Sequence, residues 1–213
     1  MAFSDYKNIS TAQKRFGIRY IEENFIRVRV DIKPSASFIE ESEFNREHID
    51  IHTSEASRSE AVIFPLLREV YKNHYNECSL WIQKSVNFDD DLSGTPDYMI
   101  SAKSELGKTV LETPLLIVAE AKKNDFERGW GQCLAELAAA QKINNDTDTP
   151  VYGIVTDGKL WEFGKLTEKI FIKNSEGYTI HHLSELFSVL NYMFCSALRG
   201  AGISVTVSAR NKC

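Results

Sequence analysis

The sequence has no cysteine pair at redox or zinc-site spacing, no apolar run of membrane-spanning length and no surplus of basic residues. Each absence removes a class of function. Cys78, Cys133, Cys195 and Cys213 are scattered with no C-x-x-C among them, so reduced thiols are expected and neither a disulfide framework nor a zinc site is. His48 and His52 are four apart and His181 and His182 adjacent, but neither pair comes with the third and fourth ligands a metal site needs, and both are expected on the surface or in loops. No apolar stretch reaches the roughly 18 residues of a spanning helix. Residues Met1 to Asn8 lack the basic-then-apolar order of a secretion signal. A cytoplasmic protein with no membrane partner is therefore expected. With 25 Lys and Arg against 30 Asp and Glu, the net charge is −5, which argues against a protein that coats nucleic acid through phosphate neutralisation. A site in which divalent cations supply the positive charge at a phosphate remains compatible with that balance.

What is present is an ordinary globular composition, 43% hydrophobic and 26% charged over 213 residues, long enough to bury roughly 70% of the unfolded surface. Residues 1–55 are loosely patterned: a short helix near Thr11 to Phe16, a strand-like Phe25 to Ile32, then an acidic stretch from Ile39 to Asp50. They are expected to form an arm or edge of the domain. From Ser54 the pattern sharpens into one amphipathic helix reaching about Asn73, with good start residues and a kink expected at Pro65 unless a first turn begins close by. Strands are predicted over Leu80 to Phe88, Asp97 to Lys103 and Leu115 to Lys122, the last apolar on both faces until its end. A helix over Arg128 to Ile143 follows. Val151 to Thr156, Leu160 to Leu166 and Ile170 to Lys173 read as strands, the first two joined by an Asp157-Gly158 hairpin, and a helix over Leu183 to Leu198 closes the chain. The fold class predicted is α/β, a mixed sheet flanked by helices, with a main domain over residues 56–200 and a tail over 201–213.

Two carboxylates and a lysine are grouped where the sheet strands should meet. Glu120 and Lys122 are two apart on a strand, so they share a face. Asp97 opens the preceding strand directly after Pro96, and the 23-residue separation from Glu120 leaves room for a strand, a loop and the return. If the two strands are neighbours, all three side chains converge. Two acidic oxygens suit Mg²⁺, with Mn²⁺ as its substitute, and such an ion polarises a phosphate and lowers the pKa of water. A lysine beside them can orient water or offset developing charge.

Pro96-Asp97 followed by Glu120-Ala121-Lys122 resembles the PD-(D/E)xK signature of restriction-endonuclease-like nucleases. That family places the Asp at the start of one strand, the E-x-K on the next and a helix just afterwards, and the predicted elements follow this order. The resemblance implies a restriction-endonuclease-like fold, metal ligands at Asp97, Glu120 and a helix glutamate corresponding to Glu60 (Glu69 being the alternative), and a helix glutamine corresponding to Gln132. The tyrosine often found four residues after that glutamine is replaced by Glu136. Gly153 to Phe163 is similar to the strand-turn-strand of the amino-terminal nuclease domain of type I restriction subunits, and the resemblance covers about residues 56 to 170. It implies Mg²⁺-dependent hydrolysis of DNA, in restriction or other defence, by a stand-alone domain, a homodimer or part of a larger assembly.

Plainer readings stand beside these. Glu120 and Lys122 could be a surface ion pair worth less than about 1 kcal/mol, and Glu60 an early-helix acid favoured by the helix dipole. Lys123 and Arg128 are candidate phosphate contacts or simply solvated charges. Trp130 and Trp161 read as core aromatics. Ala102 to Thr109 imitates a P-loop but has Ala at the first glycine position and opens no helix. The competing function is a module that keeps the nuclease fold and cleaves only with partners, or not at all.

Overall fold

The apolar segments between residues 98 and 173 pair into one mixed sheet in a computed structural model that describes residues 2–89, 92–205 and 213. In chain order the elements are α1 (Ile9–Phe16), β1 (Arg19–Glu22), α2 (Ala36–His48), α3 (Glu55–Arg58), a π turn (Ser59–Ile63), α4 (Phe64–Tyr71), β2 (Cys78–Ile82), β3 (Val86–Asp89), β4 (Leu92–Gly94), β5 (Tyr98–Ala102), β6 (Leu115–Ala121), α5 (Phe126–Asn144), β7 (Val151–Thr156), β8 (Leu160–Thr167), β9 (Ile170–Lys173), β10 (Tyr178–Thr179) and α6 (Leu183–Gly200). The large sheet runs β1-β9-β8-β7-β6-β5-β2, with β10 beside β8, and β3 and β4 form a separate hairpin. β6 and β7 are parallel, as are β1 and β9; the remaining pairs are antiparallel.

β6 is buried along its whole length, as a central strand between two helical layers must be. From Ile117 onward, alternate side chains enter opposite layers. Val118 packs in one core with Trp130, Leu134 and Leu137 of α5, whereas Ile117, Ala119 and Ala121 join Leu66 and Leu67 of α4 and Phe194 of α6 in the other. Truncating any of these leucines to alanine should cost about 2–5 kcal/mol.

The mixed α/β architecture agrees with the pattern of the sequence, and five local expectations are corrected. The strand expected at Phe25 to Ile32 is instead β1, six residues earlier, because β9 offers its free edge to Arg19–Glu22. The amides of Phe25 and Ile26 are taken by the Asn174 side chain and that of Ile32 by Ser188, so the segment is tied down without a strand partner. The acidic stretch is α2, started by Ser35, whose hydroxyl accepts from the Phe38 amide. Leu80 to Phe88 breaks into β2 and β3 at Gln83, which adopts φ 46°. The helix from Ser54 runs on as expected but passes through the π turn, which delivers Pro65 to the first turn of α4, where its missing N–H costs nothing. Finally, Cys195 and Cys213 form a disulfide while Cys78 and Cys133 are free and buried. The expectation of four reduced thiols fails for that pair because the chain end returns to α6, a proximity that spacing alone does not reveal.

Residues before 55 supply the edge strand β1 and the buried side chains Phe3, Tyr6, Ala12, Ile18, Ile26 and Phe38. Of the tail, residues 206–212 lie outside the described residues, as do Asp90 and Asp91. Among the described residues no helix is long and apolar enough to cross a membrane.

Candidate active site

Strand pairing brings Asp97, Glu120 and Lys122 together. Tyr98 lies opposite Ala119 in the antiparallel β5–β6 ladder, which sets Asp97 beside Glu120, and both side chains emerge on the face covered by α5. The contacts are mutual: the Asp97 amide donates to Glu120 Oε1 (3.3 Å) and the Ala121 amide donates to Asp97 Oδ2 (2.8 Å). Lys122 follows the last residue of β6 and still holds the strand register, its amide donating to the Thr156 carbonyl at the end of β7 (2.8 Å). Its ammonium lies 2.8 Å from Glu120 Oε2 and 3.8 Å from Asp97 Oδ2, bridging the two carboxylates. Gly129 on α5 makes room for this lysine. A Cβ there would stand 2.6 Å from Val155 Cγ1 and 3.1 Å from Lys122 Cγ, so only glycine lets the helix pass over the lysine stem.

The electrostatics are those of a charge cluster at the boundary of a core. Glu120 is wholly buried, Lys122 largely so, and Asp97 is 23% exposed. Burial pushes the Glu120 carboxyl up to about 7, the Asp97 charge adds to the rise, and Lys122 opposes it. Lys122 is held above its ordinary value: burial acts downward but is outweighed by Glu120, Asp97 and the nearby Glu55. Glu136, also buried, faces the cluster from α5, and burial together with the Glu120 charge raises it well above the carboxylate range. It accepts from the Gln132 side-chain amide through Oε1 (3.1 Å). Glu120 Oε2 has the Lys122 ammonium as its close partner, and the buried Glu120 and Glu136 carboxyls lie within hydrogen-bond reach of each other.

The other sequence-predicted residues fall at graded distances from this centre. Gln132 is buried behind it and reaches Glu136. Glu60 is exposed in the π turn, on the helical segment that covers the opposite face; its charge, like that of Asp97, adds to the effect of burial in raising the Tyr98 phenol. Glu60 does not join Asp97 and Glu120 in a ligand cluster: among the described residues the only group of three or more potential ligands within 4.8 Å of one another is His74, Cys195 and Cys213, whose two sulfurs are joined in the disulfide. Glu69 is engaged elsewhere, accepting from Lys72 (2.7 Å) and from the Ser35 amide (3.1 Å). Lys123 is turned back, its ammonium donating to the Thr53 carbonyl and its amide to Glu55. Arg128 is exposed in the first turn of α5. Trp130 and Trp161 are core residues as expected.

Sequence reasoning missed Glu136, Arg58 and the π turn. Glu136 had a signal, an acid in the middle of an Ala- and Leu-rich helix, four residues after Gln132 and so on the same side. Two carboxylates with hard oxygen atoms fit Mg²⁺, which is bound through one or two carboxylates and completes its shell with water and substrate phosphate. The buried Glu120 Oε2, which already faces a cation in the Lys122 ammonium at 2.8 Å, is the oxygen that fits such an ion best.

No protein-family model matches the sequence, and no curated protein shows a significant similarity to it.

Proposed function

We propose that the protein is a Mg²⁺-dependent nuclease of the PD-(D/E)xK kind, with a restriction-endonuclease-like fold, that hydrolyses DNA phosphodiesters in restriction or another defence role. The observation that carries the reading is the Lys122 ammonium bridging Asp97 and Glu120 at the end of paired strands. A structural ion pair would need one carboxylate. Here burial, with a second acid beside it, raises the first, an arrangement that costs stability without a divalent cation and suits a site that receives one.

Asp97 and Glu120 would hold the ion, which, when bound, supplies Lewis acidity at the phosphate and eases attack by water. The protein's own contribution is positional. The Ala121 amide fixes the Asp97 carboxylate, the α5 cover over Gly129 fixes the lysine stem, and Lys122 would offer its positive charge to the phosphate. Glu136, kept neutral, steadies Glu120 without adding a charge. Gln132 acts behind Glu136, donating its side-chain amide to that carboxyl. Arg128 is free to reach a neighbouring phosphate, whereas Lys123 must first leave Thr53. Mn²⁺ would serve in place of Mg²⁺.

The second reading, a nuclease-fold module that acts only with partners, draws on the net charge of −5 and on Lys123, whose ammonium is engaged by the Thr53 carbonyl. Incubating the purified chain with plasmid, single-stranded DNA and RNA in Mg²⁺, Mn²⁺ or EDTA tests both. DNA cleavage that EDTA abolishes is expected; cleavage that persists in chelator removes the metal assignment, and none in any metal favours the partner-dependent module.

A further inference from the structure

A cleft of about 590 Å³ opens on the face opposite α5, between α2, the helix of residues 55–71, the Asp157-Gly158 turn and the start of α6. It lies at the same end of the sheet as Lys122, since β6 and β7 are parallel and end together. Its walls divide by chemistry. Ile39, Ile51, Val62, Ile180 and Leu183 give an apolar lining, and Arg58, Lys159, His52, His181 and His182 give a basic one.

Arg58 sets this cleft apart from a merely mixed surface. The residue is 7% exposed. Its Nη1 donates to Asn124 Oδ1 (3.2 Å), its Nε is buried without a partner, and none of the ion pairs among the described residues includes it. A buried guanidinium without a carboxylate is costly in a folded protein unless an anion meets it. The Asp157-Gly158 turn, with Gly158 at φ +84°, lies beside the arginine stem: a Cβ on Gly158 would stand 3.5 Å from Arg58 Cβ, in ordinary contact. The cleft's acids do not neutralise it. Asp157 is turned to its own hairpin, accepting from the Lys159 and Leu160 amides, and Glu43 and Glu185 are exposed. The 18-residue α6 begins at the same cleft with no side-chain cap on its first amides, a further feature that favours an anion.

The geometry points to a binding site for a phosphate-bearing ligand of nucleotide size, with the phosphate on Arg58 and Lys159 and the flat or apolar body against the isoleucine and leucine walls. The volume lies within the range of roughly 300–1,000 Å³ typical of small-molecule sites, and a planar fork of donors is the group that recognises phosphate best. The same chemistry is offered by a free nucleotide and by a nucleotide unit of a strand that also reaches Lys122, two residues from Asn124.

Calorimetry in EDTA, with AMP and adenosine as probes, separates phosphate recognition from hydrophobic uptake. AMP is expected to bind at least tenfold more tightly than adenosine, to lose at least tenfold in affinity in Arg58→Gln and to lose several-fold in Lys159→Gln. A 5′-phosphorylated single-stranded dodecamer that competes with AMP assigns the site to a strand; binding of AMP without competition assigns it to a free nucleotide. If Arg58→Gln melts early, the exposed Lys159→Gln and His181→Gln decide in its place. Absence of AMP binding, adenosine binding as tight as AMP, or wild-type affinity in the folded variants overturns the inference. Because every measurement is made without metal, failure here leaves the cleavage reading intact, and failure to cleave leaves this site intact.

Discussion

Glu120 makes the cluster testable through stability. Its carboxyl, ordinarily near 4.5, is pushed up to about 7 by burial and by Asp97. Between those values the unfolded chain has released the proton that the folded chain retains, so stability falls as pH rises from about 4.5 to about 7. At roughly 1.4 kcal/mol per pH unit, the loss is about 3 kcal/mol at pH 8. Glu120→Gln removes the titration while keeping the shape. Lys122 then loses its 2.8 Å partner and retains Asp97, which returns about 1–2 kcal/mol of the gain. The net expectation is about 1–2 kcal/mol in favour of the variant at pH 8 without metal, or about 2–8 °C in melting temperature for a chain of this size. At pH 5, where Glu120 is protonated, the two proteins should melt within about 1 kcal/mol of each other. Glu136, raised by burial and in part by the Glu120 charge, loses that second part in the variant, which adds to the difference in the same direction. Thermal melts in EDTA across pH 5 to 8 read this directly. A variant that melts below wild type at pH 8, or a difference that does not change with pH, would falsify the picture of a carboxylate held in strain for a cation.

Three further outcomes follow from the same geometry. Lys122→Met should lower cleavage by on the order of 10²–10³-fold while Mg²⁺ affinity stays the same or rises; loss of calorimetric Mg²⁺ binding in this variant but not in Glu120→Gln would reverse the roles. Mg²⁺ at about 100 times its Kd should stabilise wild type by about 2.7 kcal/mol and Asp97→Asn far less, and equal metal-induced shifts in their melts would remove Asp97 from the ligand set. Gly129→Ala should cost about 1–3 kcal/mol through overpacking against Val155 and Lys122 and should lower cleavage by moving the lysine; a variant as stable and active as wild type would show that α5 does not set the lysine's position.

The convergence of Asp97, Glu120 and Lys122 was legible because it needs only two local rules: the period-two alternation of a strand and the adjacency of consecutive strands. The fully apolar start of β6 announced a central strand for the same reason. What stayed hidden depends on non-local pairing or on local geometry without a periodic signal. β1 is a strand only because β9 has a free edge. α2 buries only Phe38 completely, so it carries no clear apolar stripe, although Ser35 could have marked its start. The π turn shifts the helix phase between Arg58 and Phe64, burying Arg58, and no residue pattern announces such a turn. Glu136 stood in the sequence as a departure from a family pattern, and its meaning, a second buried acid facing Glu120, required the α5–β6 packing.

The most direct test of the central claim is plasmid cleavage by wild type, Asp97→Asn and Lys122→Met, side by side in Mg²⁺, each variant first confirmed to be folded by its melt. The account predicts nicking or cutting by wild type alone, with both variants reduced at least a hundredfold. Wild-type rates in both folded variants would contradict it.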